Sequence, residues 1–205
     1  MQQLSQWRGV SKLALAGIAL TLGGCFTAEN DEGNPIIPDA QLAYPLKPGD
    51  GRECAERSDG QDCSRATIAR LPSGGYQFST YSVDEDGKES GPSTEKFRLR
   101  LLRGGNIPAN TYLAQSIDND PDQRFLGLLA RRADGGWVKI SPKCENLSPT
   151  GFVNFMTNGW ITTDSQKVSG MRCQVRRNGL DDARLYAILD EGEKDSSPTV
   201  VYDGS

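Results

Sequence analysis

The sequence predicts an α+β domain: an antiparallel β-meander or small open barrel of about five to seven strands, with a C-terminal helix packed on it. Three observations predict it. From about Ala66 to Ser141, apolar and polar residues alternate in short runs separated by turns rich in Gly, Asp and Asn. One stretch near the C-terminus, after Asn178, carries helical rather than strand periodicity. The chain also holds 23 glycines and 11 prolines in 205 residues, which suits short elements joined by many turns.

The chain opens with a basic segment holding Arg8 and Lys12, followed by an apolar run from Leu13 to Leu22. That run is shorter than the roughly 20 residues a spanning helix needs. With its basic flank it matches the apolar region of a secretory signal. Leu22-Gly23-Gly24-Cys25 ends it, and this stretch resembles the lipobox of bacterial lipoprotein precursors. The resemblance covers residues 1–25 only. It implies that residues 1–24 are a cleaved signal peptide and that Cys25 becomes the mature N-terminus, carrying a diacylated thioether. Phe26 and Thr27 follow the cysteine, where in the family an Asp often marks retention in the inner membrane. The resemblance therefore implies a bacterial cell envelope protein held by its lipid in the outer membrane, facing the periplasm or the cell surface. Each buried acyl CH₂ contributes about 0.8 kcal/mol, so two or more chains hold stably where one does not.

Residues 25–42 read as a lipidated flexible tether. Ala28 to Gly33 is polar and acidic, Pro35 and Pro38 interrupt regular structure, and no apolar period appears. Such a segment would lift the domain off the membrane.

A single β-rich domain is expected over residues 43–192. Tyr76, Phe78 and Thr80 alternate with Gln77, Ser79 and Tyr81, and Asp84-Glu85-Asp86-Gly87 supplies a turn. Phe97, Leu99 and Leu101 alternate with Arg98, Arg100 and Leu102, and Gly104-Gly105-Asn106 ends that run. Thr111 to Ile117 reads as a further strand. Phe125 to Ala130 is a continuous apolar run with one glycine, the pattern of a strand buried on both faces. Ala133-Asp134-Gly135-Gly136 links it to Trp137–Ile140 as a hairpin. Gly151 to Asn158 reads as a short helix and Met171 to Val175 as a short strand. Asn178 is placed to cap the main helix, with Asp181 and Asp182 near its positive end. Leu185, Ile188 and Leu189 fall on one face of it, and Gly192 ends it. Residues 193–205 read as a loose polar tail in spite of Val200, Val201 and Tyr202.

With Cys25 set aside, Cys54, Cys63, Cys144 and Cys173 remain, an even set that reads as disulfides in an exported chain. Three connectivities are possible. The pairing Cys54–Cys63 and Cys144–Cys173 keeps each bridge within one local region. The formal net charge is −4, and the leader removes two basic residues and no acidic ones, leaving −6 on the mature chain. That balance argues against a nucleic-acid partner and leaves the lipid on Cys25 as the membrane contact. Histidine is absent, which excludes Ser-His-Asp and Cys-His catalysis and His-ligated metal within the chain. No cofactor and no metal site is implied.

Few constellations remain. Asp118-Asn119-Asp120-Pro121-Asp122 spaces carboxylates like a calcium loop, but Gln123 and Leu129 stand where such a loop needs Gly and Glu. Asp181 and Asp182 are adjacent on a helix and do not face each other. Ser141 and Lys143 are close in sequence, but a Ser-Lys pair needs both groups in one cleft with the lysine desolvated, and these lie beside Pro142 and Cys144 at an expected strand-to-loop exit. Arg98 and Arg100, on one strand face, together with Arg131 and its neighbour Arg132, could form an anion-binding face for a glycan or lipid headgroup. The alternative is a solvated face paired to carboxylates. Trp137, Trp160, Tyr76, Tyr81 and Tyr112 could line a groove or fill the core.

By elimination the sequence favours a non-catalytic envelope lipoprotein whose domain binds another envelope protein or glycan, or assists assembly. A carboxylate-dependent enzyme acting on envelope glycan would need two carboxyl groups facing one cleft, roughly 5–10 Å apart. An inhibitor of a foreign hydrolase would need a rigid protruding loop, for which the Cys54–Cys63 turn is the candidate.

Overall fold

The period-two stretches form strands, and those strands close on themselves. The structure, a computed structural model, describes residues 26–28, 36–57, 60–84, 86–117, 124–163, 172–176, 180–193 and 198–204. In chain order its elements are β1 (Phe26–Ala28), β2 (Gly49–Arg57), β3 (Gly60–Arg70), β4 (Tyr76–Tyr81), β5 (Ser93–Leu101), β6 (Thr111–Ser116), β7 (Leu126–Arg131), β8 (Trp137–Ile140), α1 (Pro149–Thr157), β9 (Ile161–Thr163), β10 (Cys173–Val175), α2 (Asp182–Glu191) and β11 (Thr199–Asp203). Eight strands make a closed barrel in the order β11-β2-β3-β4-β5-β6-β7-β8, and β1-β10-β9 make a separate small sheet. Every pairing in the barrel is antiparallel.

The expected antiparallel meander or small open barrel of about five to seven strands is realised as a larger barrel, closed and of eight strands. The two strands that complete it lack the apolar period. β2 turns Gly51, Glu53 and Ala55 inward, a glycine, an acid and a small residue. Its register fixes this direction, because Glu53 lies opposite Val201, a member of the interior cluster. β11 lies in the segment expected to be a loose tail. Its Val201 pairs with Glu53 on one side and Trp137 on the other, closing the ring. Both Val200 and Val201 are buried.

The barrel interior is filled by Leu46, Ala66, Ile68, Tyr76, Phe78, Phe97, Leu99, Ala114, Leu129, Trp137 and Val201, as a barrel of this strand number permits. Cross-strand neighbours Ile68↔Phe78, Tyr76↔Phe97 and Leu99↔Ala114 stack in its wall. The β3–β4 turn needs Gly75. Its φ is +93°, and a Cβ there would strike the Phe97 carbonyl oxygen.

A second apolar layer covers one outer face of the barrel. Leu113, Leu126, Leu128 and Ile140 point out of it, and against them pack Leu185, Ile188 and Leu189 of α2, Phe155 of α1, and Phe26, Ile161 and Val175 of the small sheet. β7 is therefore buried on both faces, as its continuous apolar run predicts. The α2 cap is Asp181, whose carboxylate accepts from Arg184 N at 2.8 Å, not Asn178, which lies outside the described residues. Ser148 caps α1 by accepting from Gly151 N at 3.0 Å, with Pro149 in the first turn.

Part of the expected tether is also structured. Phe26, Thr27 and Ala28 are buried, and β1 runs parallel to β10 with Phe26 beside Cys173. Farther along, Ile37 is fully buried, its N–H donates to Gln115 Oε1 at 3.1 Å, and Ala43 N donates to Leu99 O at 2.8 Å. The Phe26 ring and the buried Ile37 side chain supply the apolar burial that a free spacer would lack.

Candidate functional site

One end of the barrel interior is charged. Lys139 of β8 points inward beside Leu129 and Thr199. Its ammonium lies 3.5 Å from Glu53 Oε1 and donates to Glu95 Oε1. Thr80 Oγ1 donates to Glu53 Oε2 at 2.8 Å, and Thr199 Oγ1 to Glu53 Oε1 at 3.4 Å. The side chains of Lys139, Glu53 and Glu95 are only 9%, 11% and 15% exposed. Burial works to lower the Lys139 pKa, and the opposed charges and hydrogen bonds of Glu95 and Glu53 outweigh it, so the ammonium is held above its ordinary value. A charged lysine clamped between two carboxylates is neither a base nor a nucleophile. The cavity at this lysine, lined also by Phe97, Leu99, Ala114, Leu128 and Leu129, measures about 10 Å³, at most one water. Two carboxylates do converge, as the enzyme reading requires, but on a lysine in a filled interior.

Sequence reasoning missed this cluster, though its signal was present. Glu95 is in phase with Phe97 and Leu99, and Lys139 is in phase with Trp137. Charged residues on the inward phase of a strand are the mark of a buried pair.

Two hairpins rise near the same end. The β2–β3 pairing continues to Arg57↔Gly60. β11 leaves β2 at Ala55 and β4 leaves β3 at Arg65, so residues beyond these points form a two-stranded projection. The Cys54–Cys63 disulfide staples it, and Gln61 and Asp62 are exposed. Next to it the β4–β5 loop folds back through a Val83↔Glu89 bridge. Arg65 of β3 ties that loop to the barrel through two 2.8 Å hydrogen bonds to Glu89 while lying 3.7 Å over the Tyr81 ring. The Arg65 hydrogen bonds hold the Glu89 carboxyl below its usual range.

The arginines proposed as an anion-binding face do not share one. Arg98 bonds Asp39 Oδ1 at 2.7 Å as well as the carbonyls of Ile37 and Ser73. Arg100 meets Asp182 Oδ1 at 2.5 Å. Arg131 pairs across from inward-facing Trp137, stacks 4.5 Å from its ring, and lies 3.7 Å from Asp203 Oδ1. Arg132 pairs with Glu56 and Asp134. The reason is register: Arg98 and Arg100 face outward, whereas Arg131 is in phase with the interior, and an aspartate neutralises each of the three.

Trp137, Tyr76, Trp160 and Tyr112 pack in or against the two cores, whereas Tyr81 lies under the Arg65 guanidinium. Trp137 is buried and donates to Asp203 Oδ1 at 3.2 Å. Trp160 stacks on Phe155 at 5.8 Å. Tyr76 accepts from Leu46 N and donates to Leu46 O, and burial pushes its hydroxyl up to about 12. Lys143 is exposed, so it lacks the desolvation a Ser141–Lys143 pair would need. The Asp118–Asp122 segment and Cys25 lie outside the described residues. Among the described residues no group of three or more Asp, Glu or Cys is arranged to hold a metal ion.

The second disulfide joins Cys144 to Cys173. It ties the chain before α1 to β10, beside Phe26. Comparison with protein-family models, with curated proteins and with solved structures found no match.

Proposed function

We propose that the mature protein is an envelope lipoprotein, held in the outer membrane by lipid on Cys25, whose barrel is a non-catalytic binding or assembly module for another envelope protein or glycan. The observation that carries this reading is the position of β1. Phe26, the residue after the lipobox cysteine, is fully buried, so the residue that maturation would leave next to the lipid is part of the folded layer. The clamped Glu53–Lys139–Glu95 cluster and its one-water cavity weigh toward binding over carboxylate chemistry. No helix among the described residues is long and apolar enough to cross a membrane, which leaves the anchor to the lipid in this reading. Expression of the full precursor in a Gram-negative host tests it. Cys25→Ala should move the protein from the membrane to the soluble envelope fraction, and crosslinking of the lipidated form should recover one reproducible envelope partner. Unchanged membrane retention of the variant would contradict the anchor.

A second reading, an inhibitor of a foreign hydrolase, is favoured by the stapled β2–β3 projection. Inhibition of one secreted hydrolase, lost on Gln61→Ala/Asp62→Ala with the barrel intact, would select it. No inhibition across a panel of glycan and peptide hydrolases would remove it.

A further inference from the structure

We infer that the outer face of α1 is a membrane-seating surface that lies on the bilayer beside the lipidated Cys25; this rests on the lipoprotein reading above. The anchor leaves no stand-off. Consecutive Cα atoms are about 3.8 Å apart, and Phe26 is already buried between β10 and the barrel. Acyl chains on Cys25 must therefore pull the surface around Phe26 down to the headgroups, and that surface includes the start of α1 by two routes. Phe26 is in register with Cys173, which is bonded to Cys144, four residues before the α1 cap Ser148. Phe26 also touches Gly192, where a Cβ would sit 2.6 Å from its ring, and the neighbouring Glu191 bonds Ser148 and presses on Gly151 of α1.

The chemistry of this face fits a bilayer. From Asn146 to Thr163 no residue is charged, in a chain that is 24% Asp, Glu, Lys and Arg. Val153 is 61% exposed and Met156 37% exposed, two of the few large apolar side chains the described surface presents. Pro149, Thr150, Asn154 and Thr157 complete a shallow uncharged hollow around Val153. A mature chain of net charge −6 is repelled by anionic headgroups, so an uncharged apolar face is the one that approaches at least cost. Interfacial helices bury their apolar side in this way. The surface is small and needs the anchor to hold it down, which distinguishes it from an independent membrane-binding helix.

Hydroxyl-radical footprinting tests the seating. Lipidated protein is reconstituted in vesicles of phosphatidylethanolamine and phosphatidylglycerol and compared with soluble Cys25→Ala protein. Met156 and Val153 should be oxidised several-fold less in the vesicle-bound form, while Tyr44 and Val83, also exposed, react equally in both. Val153→Asp should restore Met156 oxidation in vesicles without detaching the protein. Floated protein with acyl mass on Cys25 but unprotected Met156 would overturn the seating alone. Absence of acyl mass on Cys25 would overturn both the seating and the anchor.

Discussion

The barrel interior and the layer on its outside are both apolar and are held by different means. The barrel is closed by its own strand pairing, β11 joining β2 to β8. It can therefore accommodate a charged cluster at one end. The outer layer gathers short pieces from distant parts of the chain: Phe26, Leu147, Phe155, Ile161, Val175 and Leu185. Its small sheet has strands of three residues each, too short to be stable alone. It depends on docking and on the Cys144–Cys173 bond. Self-closure tolerates polar substitution within the wall; an assembled layer needs covalent and apolar fastening.

The largest test breaks the barrel at its charged end. Lys139→Ala leaves Glu53 and Glu95 buried without their cation, a loss of about 3–5 kcal/mol. Urea unfolding followed by tryptophan fluorescence measures it. Replacing the cluster as a whole, Lys139→Met with Glu53→Gln and Glu95→Gln, should recover most of that loss, because a neutral set of similar volume needs no counter-charge. A Lys139→Ala variant as stable as the parent would show that the cluster carries no interaction energy.

The two disulfides separate the regions further. Cys144–Cys173 closes 29 residues and Cys54–Cys63 only 9. In the chain-entropy account these are worth roughly 3–4 and 2–3 kcal/mol. The 29-residue bridge also fastens a layer that the barrel does not close. Cys144→Ser/Cys173→Ser should therefore lower the unfolding midpoint more than Cys54→Ser/Cys63→Ser, whose strands remain paired on both sides of the bond. The reverse order would mean that the outer layer docks independently of its bridge.

The same contrast explains what the sequence made legible. Where strand faces are apolar and polar in alternation, as in Phe97-Arg98-Leu99-Arg100, the strand and its inward side were plain. The continuous run of β7 predicted burial on two faces, and Leu129 and Leu128 supply them. β2 was hidden because its inward phase is Gly51, Glu53 and Ala55, so an ion pair across the barrel replaced the apolar signal. β1 was hidden because three residues have no period and their partner, β10, lies far along the chain. The anion-face proposal for Arg98, Arg100 and Arg131 failed on register. Arg131 belongs to the inward phase, and the aspartates that meet the three come from segments not adjacent in sequence. The Cys54–Cys63 and Cys144–Cys173 pairings were legible because an even set of cysteines, each pair within one local region, reports pairing without any periodicity.

The smallest effect distinguishes the regions by pH. In the barrel the buried carboxylates face an ammonium. In the outer layer Glu193, just beyond α2, is partly buried and close to Asp190. Burial first, and the Asp190 charge second, raise its pKa above the usual carboxylate value. For a group whose folded pKa is raised, the stabilisation is complete below the unfolded pKa, about 4.3 for Glu. It is lost as pH climbs through the folded value, because the unfolded chain then releases the proton more readily. Glu193→Gln cannot ionise, so its melting temperature should gain on the parent as pH rises from about 4 through the raised pKa, and then the difference should level off. The gain should be less than the ~2–4 °C that 1 kcal/mol is worth in a chain of this size. A melting-temperature difference that stays flat across this range would place Glu193 in solvent and the end of α2 away from the layer that Phe26 anchors.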